Sequence, residues 1–243
     1  MSTKYIRLHE KINREIQKAG IHVIRRQHGL SVPNQNIVSQ HPFITFCHHG
    51  SCRMLYDMRE ITYGKNELAI IMPGHVLKQL DYSDDFVFSY MVVSIDLFRE
   101  IHTHVVDDDS NQFIRLPIIH LSDERVKILM KIADMLADIA SFDIKDLHLR
   151  HQLLSAQLFV GCEFLYQEYR EQEQMKGLSA HTALYYHFCD LVVKYHRESR
   201  EVKYYADLLN LTPKHFTKII RQEMGVSPVE WIEQYIVTQA KNS

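Results

Sequence analysis

The sequence of 243 residues has few cysteines, no long apolar run and no large excess of either charge. Its four cysteines lack the spacing of a disulfide framework, which indicates reduced thiols. A helical membrane span would need about 18 or more consecutive apolar residues, and no such run is present. The charged N-terminus also lacks the apolar core of a signal peptide. We therefore expect a cytoplasmic protein without a membrane partner.

The charge balance limits how the chain could contact nucleic acid. The formal net charge is -2 at pH 7, so any such contact must come from a local group of cations. The patterns of several enzyme classes are also missing, since there is no glycine-rich phosphate loop, no pair of catalytic carboxylates and no nucleophile elbow. The sequence predicts a protein that is not an enzyme, and it implies no cofactor.

The N-terminal half has the sequence pattern of a β-protein. A short amphipathic helix is predicted over about 5–18, and short runs rich in β-branched and aromatic residues follow over 21–95. Turn residues separate these runs at near-regular intervals. Many short strands at such spacing predict a sandwich or a barrel.

A helical period replaces this pattern after residues 107–111. Five apolar residues of the first helix are three and four positions apart, which predicts a seam against another helix, and Ser122 is expected to cap it. A second helix is predicted over 146–171, and the two form an antiparallel hairpin. The polar stretch 171–177 is the predicted linker. The five seam residues are Val126, Leu129, Ala133, Leu136 and Ala140.

Residues 202–224 have the pattern of a helix-turn-helix. Thr212 is expected to cap the second helix, Pro213 suits its first position, and Gly225 suits its end. Residues 212–221 contain three Lys or Arg and no acidic residue, as a surface facing phosphates and guanine edges would. A short basic run is also typical of a solvated helix face, so the pattern alone leaves both interpretations open.

These residues resemble the first helix-turn-helix of the AraC/XylS family of transcription regulators. The resemblance is specific over 202–241, where it includes Tyr205–Pro213, Phe216–Arg221 and Gly225–Ile232. Earlier in the chain, 41–43, 56–59 and 72–75 more loosely resemble the family's cupin-like sensor barrel. The hairpin stands where the family has its dimerisation helices.

The resemblance implies an α+β fold in three parts. These are a cupin-like β-barrel with an N-terminal helix at 1–120, a helical hairpin for dimerisation at 121–176, and a partial all-α DNA-binding domain at 177–243. The family joins two helix-turn-helix units through a long helix, which here ends near Ala240 and Lys241. The second unit is therefore expected to be missing, as in a shortened chain or a fragment.

The function implied by the resemblance is sequence-specific DNA binding in the major groove of a duplex, in response to a small-molecule effector and as a homodimer. Its residues form three sets. The recognition-helix set is Lys214, His215, Thr217, Lys218 and Arg221. The effector set inside the barrel is Arg53, Tyr56, His75 and Tyr90, each of which could instead close the barrel or face solvent. The dimerisation set is Val126, Leu129, Ala133, Leu136, Leu154 and Leu158.

Two other hypotheses stay open at the level of sequence. A cupin-type metal-dependent enzyme with a helical appendage would contain a stoichiometric metal ion. A sensor or dimerisation module would act on protein partners. Cys47, His48, His49 and Cys52 suggest zinc, but strand neighbours point to opposite faces and the spacing is not that of a zinc site. We therefore predict no metal site.

Overall fold

The computed structural model describes residues 3–29, 36–57, 59–105, 118–142, 144–176, 180–224 and 226–242. Within these ranges the chain forms nine strands and eight helices. The strands are β1 Ile21–His28, β2 Ile37–Val38, β3 Phe43–His49, β4 Ser51–Tyr56, β5 Arg59–Gly64, β6 Glu67–Ile71, β7 Val76–Tyr82, β8 Val87–Val93 and β9 Ile118–His120. The helices are α1 Thr3–Ala19, α2 Ile95–Val105, α3 Asp123–Ser141, α4 Leu147–Lys176, α5 Ala180–Tyr195, α6 Val202–Leu208, α7 Pro213–Met224 and α8 Pro228–Asn242.

The strands form two antiparallel sheets. The five-stranded sheet has the order β1-β8-β3-β6-β9, and the four-stranded sheet has the order β2-β7-β4-β5. No strand ladder joins the two sheets among the described residues, so the predicted barrel is a double sheet that does not close. The fold class is α+β, as the sequence predicted.

Successive side chains of β3 point to opposite sides of the five-stranded sheet, one side facing the second sheet and the other facing the helical hairpin. Thr45 and Cys47 point between the sheets, where the Thr45 hydroxyl lies 3.1 Å from the Tyr63 hydroxyl. Ile44 and Phe46 point to the opposite side, against the helical hairpin. Both faces of this sheet are therefore covered, which explains why its strands are apolar on both sides.

The hairpin of α3 and α4 packs on the outer face of that sheet. Ser122 caps α3 as predicted, since its hydroxyl accepts a hydrogen bond of 3.3 Å from the Arg125 amide. Helix α4 continues to Lys176. The predicted linker at 171–177 is therefore wrong for 171–176, because these residues complete the helix, and residue 177 lies outside the described residues.

The helices α5 to α8 form a C-terminal subdomain around one aromatic core. Phe188 lies at its centre, and Val76 from the sheet region is part of the same core. The C-terminal subdomain therefore packs directly against the double sheet. In the described part of the chain, none of the helices is both long and apolar enough to cross a membrane.

Candidate nucleic-acid interface and the domain junction

The helix-turn-helix predicted from sequence is present at 202–224. Helix α6 ends at Leu208, and Asn210 adopts a positive φ of 54° that an Asn tolerates. The Leu211 amide then donates to the Ala206 carbonyl at 2.9 Å, which closes the turn. Helix α7 begins at Pro213. Thr212 caps it, because its hydroxyl accepts from the His215 amide at 3.3 Å.

One face of α7 is fixed by the aromatic core. Phe216, Ile219 and Ile220 are buried. The Phe216 ring lies 5.1 Å from the Phe188 ring, edge to face, and the Phe188 ring lies 5.4 Å from that of Trp231. Aromatic contacts of this kind restrict rotation of the helix about its axis. The opposite face of α7 is therefore held toward solvent.

The outward face of α7 carries the predicted recognition residues. Lys214, His215, Lys218 and Arg221 are exposed, and Thr217 is half-buried. Positions 212–222 contain no acidic residue. The structure thus brings all five predicted residues onto one short helix whose cations lie in solvent.

One acidic residue close to Arg221 has another role. Glu230 lies at the start of α8, where its carboxylate accepts from the Ser227 amide at 2.7 Å and Ser227 caps the Glu230 amide in return. These hydrogen bonds lower the pKa of Glu230, and the charge of Arg221 lowers it further. The Glu230 carboxylate is therefore engaged in the cap of α8.

The four predicted effector residues do not form one site. Arg53 points away from the space between the sheets, with about half of its side chain exposed, and pairs with Glu60 at 3.3 Å. Its place in the effector set is therefore wrong, because β4 alternates and puts it on the outer face. Tyr90 is buried between the sheets, where its hydroxyl has no hydrogen-bond partner among the described residues.

Tyr56 and His75 lie instead at the junction between the double sheet and the C-terminal subdomain. The His75 Nδ1 atom is 2.5 Å from the Asp57 Oδ2 atom, and its Nε2 atom is 3.6 Å from Asp190 Oδ1 on α5. The Tyr56 ring stacks on the imidazole with centroids 5.2 Å apart. His75 and Asp57 are almost completely buried.

This junction holds a buried charge. Burial by itself would lower the pKa of His75, but the charge of Asp57 and the hydrogen bonds and charge of Asp190 outweigh it and raise the pKa to about 10. The imidazole is therefore protonated at neutral pH. It bridges a carboxylate of the sheet region and a carboxylate of α5, so it links the two parts of the chain by charge as well as by packing.

The backbone of Asp57 is held from the other side. Its carbonyl oxygen accepts from the Tyr185 hydroxyl at 2.9 Å and from the Trp231 indole nitrogen at 3.2 Å. Sequence reasoning missed Asp57 and Asp190 as junction residues. One signal was available for Asp190, since it is the only charged residue in the otherwise apolar run 188–193.

The predicted dimerisation residues are only partly at the surface. Leu129, Leu136, Leu154 and Leu158 are buried within the chain's own core, between the hairpin helices and the sheet, so they do not face a partner. Val126 and Ala133 are half-buried. Other apolar side chains of the hairpin are exposed, and they are Ile128, Met135, Phe142, Leu147, Leu149, Leu153, Phe159 and Val160.

The cysteine and histidine cluster of β3 is structural. The Cys47 thiol donates to the His49 carbonyl at 3.1 Å, whereas His48 Nε2 lies 2.7 Å from the Ser89 hydroxyl on the other face. Burial raises the pKa of Cys47 to about 12. Within the described ranges, no three His, Cys, Asp or Glu side chains are grouped so that they could hold a metal ion.

The chain is similar to several solved protein structures. No family model matches the chain, and no curated protein matches it. ToxT from Vibrio cholerae O395 is similar at 9% identity and a TM-score of 0.34, over 89% of this chain and 98% of that one. CuxR, described as an AraC-like transcriptional activator, is similar at 10% identity and a TM-score of 0.38, over 91% and 77%.

A third structure, the TDP-fucose-3,4-ketoisomerase WlaRA from Campylobacter jejuni, is similar over 30% of this chain and 58% of that one. Its identity is 19% and its TM-score is 0.25. TM-scores this low do not establish a shared fold for any of the three proteins.

Proposed function

We propose that the chain is a sequence-specific DNA-binding transcription regulator of the AraC type, in which α7 enters the major groove. The observation that carries this proposal is the outward face of α7, which is cationic, free of acidic residues and held away from the core by Phe216, Ile219 and Ile220. An α-helix fits the major groove, and Lys and Arg on its face pair with guanine edges or with phosphates.

Within this proposal the five residues of α7 have different partners. Lys214, Thr217 and Lys218 contact base edges, where a lysine donates to guanine and the Thr217 methyl group contacts thymine. His215 and Arg221 lie nearer the phosphate backbone and fix the position of the helix. The assignment predicts that changes in the first group alter sequence preference, whereas changes in the second weaken binding to all sequences.

Fluorescence anisotropy with the full chain and labelled duplexes at several salt concentrations tests the proposal. Lys214→Ala and Lys218→Ala should each weaken binding and lower the preference for one duplex sequence over another, because each loses a base contact. The removed charge should also make the slope of log K against log salt less steep. Lys131→Ala is the matched control, since this exposed lysine lies on the hairpin. Equal affinity and slope for all four proteins would overturn the assignment of α7.

We further propose that the chain forms a homodimer through the outer face of the hairpin. Ile128, Met135 and Phe142 recur every seven residues on α3 and its C-cap, and Leu149, Leu153 and Val160 form a matching stripe on α4. Seven-residue spacing is the pattern by which one helix packs along another. A second copy presents the same apolar stripe, as a two-fold interface requires.

Sedimentation equilibrium of the full chain tests the dimer. Leu153→Lys places a charge in the stripe and should shift the protein to monomer, whereas Gln152→Lys adds the same charge to an exposed neighbour and should leave the dimer intact. If both variants sediment as the unchanged protein does, the outer face is not the interface. A monomer at every concentration of the unchanged protein would refute the homodimer itself.

The proposal places the small-molecule effector between the two sheets, in a sensor domain of cupin-like design. Tyr90 supports this position, since its buried hydroxyl is available to a ligand. Tyr90→Phe should weaken effector binding with little loss of stability. Elemental analysis of the purified protein tests the enzyme alternative, because a stoichiometric Fe, Mn or Zn ion would favour a metal-dependent cupin enzyme.

A further inference from the structure

A cavity of about 70 Å³, which is partly open to solvent, lies between the outer face of the five-stranded sheet and the helical hairpin. Its floor is formed by outward residues of the sheet, among them Ile44, Phe46 and Met91. Its roof is formed by α3 and α4. Ile44 and Phe46 point away from the space between the two sheets, and Tyr90, which is buried between the sheets, also contributes to the lining of the cavity.

The packing on either side explains why the cavity exists. At one end of the hairpin, Phe46, Leu129 and Leu165 belong to one compact cluster. At the other end, Leu136 and Leu158 belong to a second cluster. Large side chains in both clusters hold the helices away from the sheet. Between the clusters α3 carries the small residue Ala133, which does not fill the gap. A Cβ at Gly161 would lie 3.3 Å from Ile132, so this glycine allows α3 and α4 to pack closely.

The wall of this cavity is almost entirely apolar. The hydroxyl of Ser89 is already used, because it lies 2.7 Å from His48 Nε2 and accepts from the Arg26 amide at 3.1 Å. No described residue that lines the cavity carries a charge. Water in such a site lacks the polar partners that stabilise buried water, and apolar cavities in proteins take up benzene or xenon instead.

We propose that this cavity is a binding site for a small uncharged apolar molecule, such as a single aromatic ring or a short alkyl chain. An engineered cavity of about 150 Å³ binds benzene, so an occupant of that size would require the hairpin to move outward from the sheet. Met91 and Met130 line the cavity, and methionine adapts easily to such a change. The link to regulation rests on the proposed function, since the same hairpin carries the proposed dimer face, but the binding itself does not.

Benzene is the probe, and the full chain labelled with ¹³C in its methionine methyl groups is the sample. Titration should shift the methyl resonances of Met91 and Met130, which line the cavity. It should leave those of Met54, between the sheets, and exposed Met135 unchanged. Saturating benzene that shifts neither cavity methionine, or that shifts all four equally, would overturn the proposal. This readout needs no variant to fold.

Thermal unfolding of two variants gives an independent test. Benzene at about ten times its dissociation constant should raise the Tm of the unchanged protein by about 2–5 °C. Ala133→Leu fills the cavity and should abolish this rise, whereas Ala156→Leu, on the exposed side of α4, should retain it. An equal rise in both variants would place benzene elsewhere. DNA affinity is measured separately. A benzene titration without the expected shifts would refute only the cavity proposal, and unchanged DNA binding of the α7 variants would refute only the proposed role of α7.

Discussion

Replacing His75 by Gln should remove a pH-dependent part of the chain's stability. In the folded chain the pKa of this imidazole is about 10, against an ordinary value of 6.5. The protonated form is therefore favoured by folding, and its contribution is fully present below pH 6.5 and is lost as the pH rises toward 10. A difference of this size corresponds to about 5 kcal/mol at pH 6.

The size of the effect also follows from the geometry of the junction. Removing one partner of a buried ion pair costs about 3–5 kcal/mol, because the remaining charge is left without compensation. In His75→Gln the carboxylate of Asp57 remains buried, although it still accepts from the Val76 amide at 2.9 Å. We therefore expect the variant to be about 3–5 kcal/mol less stable at pH 6. The difference in unfolding free energy between the unchanged protein and His75→Gln should decrease by about 1.4 kcal/mol for each pH unit above 6.5.

Urea unfolding followed by tryptophan fluorescence is a suitable assay. Trp231 is the single tryptophan of the chain, and its indole donates to the Asp57 carbonyl. The useful quantity is the difference between the two proteins at each pH, since other groups titrate in both. Burial raises the pKa of the neighbouring Tyr56, Tyr185 and Cys189 well above ordinary values, so they stay neutral in the folded chain over this window.

Asp57→Asn provides the matched control. Asp57 has a positive φ of 48°, which Asn also tolerates, so the substitution removes the charge without straining the turn. In Asp57→Asn the unfolding free energy should therefore change less steeply with pH between pH 6.5 and 10 than in the unchanged protein. A stability difference between unchanged protein and His75→Gln that stays constant from pH 6 to pH 10 would refute the reasoning, because it would show that the folded imidazole carries no extra proton.

Three further substitutions test the packing by thermal or urea unfolding. Gly74→Ala should destabilise the chain by about 2 kcal/mol or more, because φ of Gly74 is +89° and the new Cβ would clash with Val193. Adding Val193→Ala should recover the part of this loss that is due to the clash. Full stability of Gly74→Ala would contradict the contact. Thr212→Ala should cost about 1 kcal/mol by removing the cap of α7, whereas Thr212→Ser should cost less. Leu136→Ala should cost about 2–5 kcal/mol, and a loss below 1 kcal/mol would contradict its burial.

The helix-turn-helix could be predicted from the sequence because its determinants are local. Thr212 caps a helix that begins at Pro213, and Phe216, Ile219 and Ile220 follow the spacing of a single helical face. Their burial and the exposure of the intervening lysines were correctly predicted. The end of α7 was predicted at Gly225, which lies outside the described residues.

The apolar face of α3 could be predicted from the spacing of its residues, but the surface that it contacts could not. Leu129 and Leu136 were predicted to contact another helix, and they do lie in the layer between the hairpin and the sheet. Spacing along one helix does not say whether the contacting surface belongs to the same chain or to a second copy. The prediction of dimerisation residues was wrong for the four buried leucines for this reason, since the chain covers Leu129, Leu136, Leu154 and Leu158 itself.

The position of Arg53 could have been predicted from the register of β4. Side chains alternate along a strand, so Arg53 and Tyr56 in β4 had to point to opposite sides. The structure places Arg53 outside and Tyr56 inside. The junction residue Asp57 could not be found in the same way, because its partners His75 and Asp190 come from distant parts of the sequence.

The carbonyl of Asp57 has a mechanical consequence. Tyr185 on α5 and Trp231 on α8, the first and last helices of the C-terminal subdomain, both donate to this one oxygen atom. A rotation of that single peptide plane would break the two bonds together, since both donors share the one oxygen atom. Any motion that turns this carbonyl would therefore weaken the attachment of α5 and of α8 at the same time.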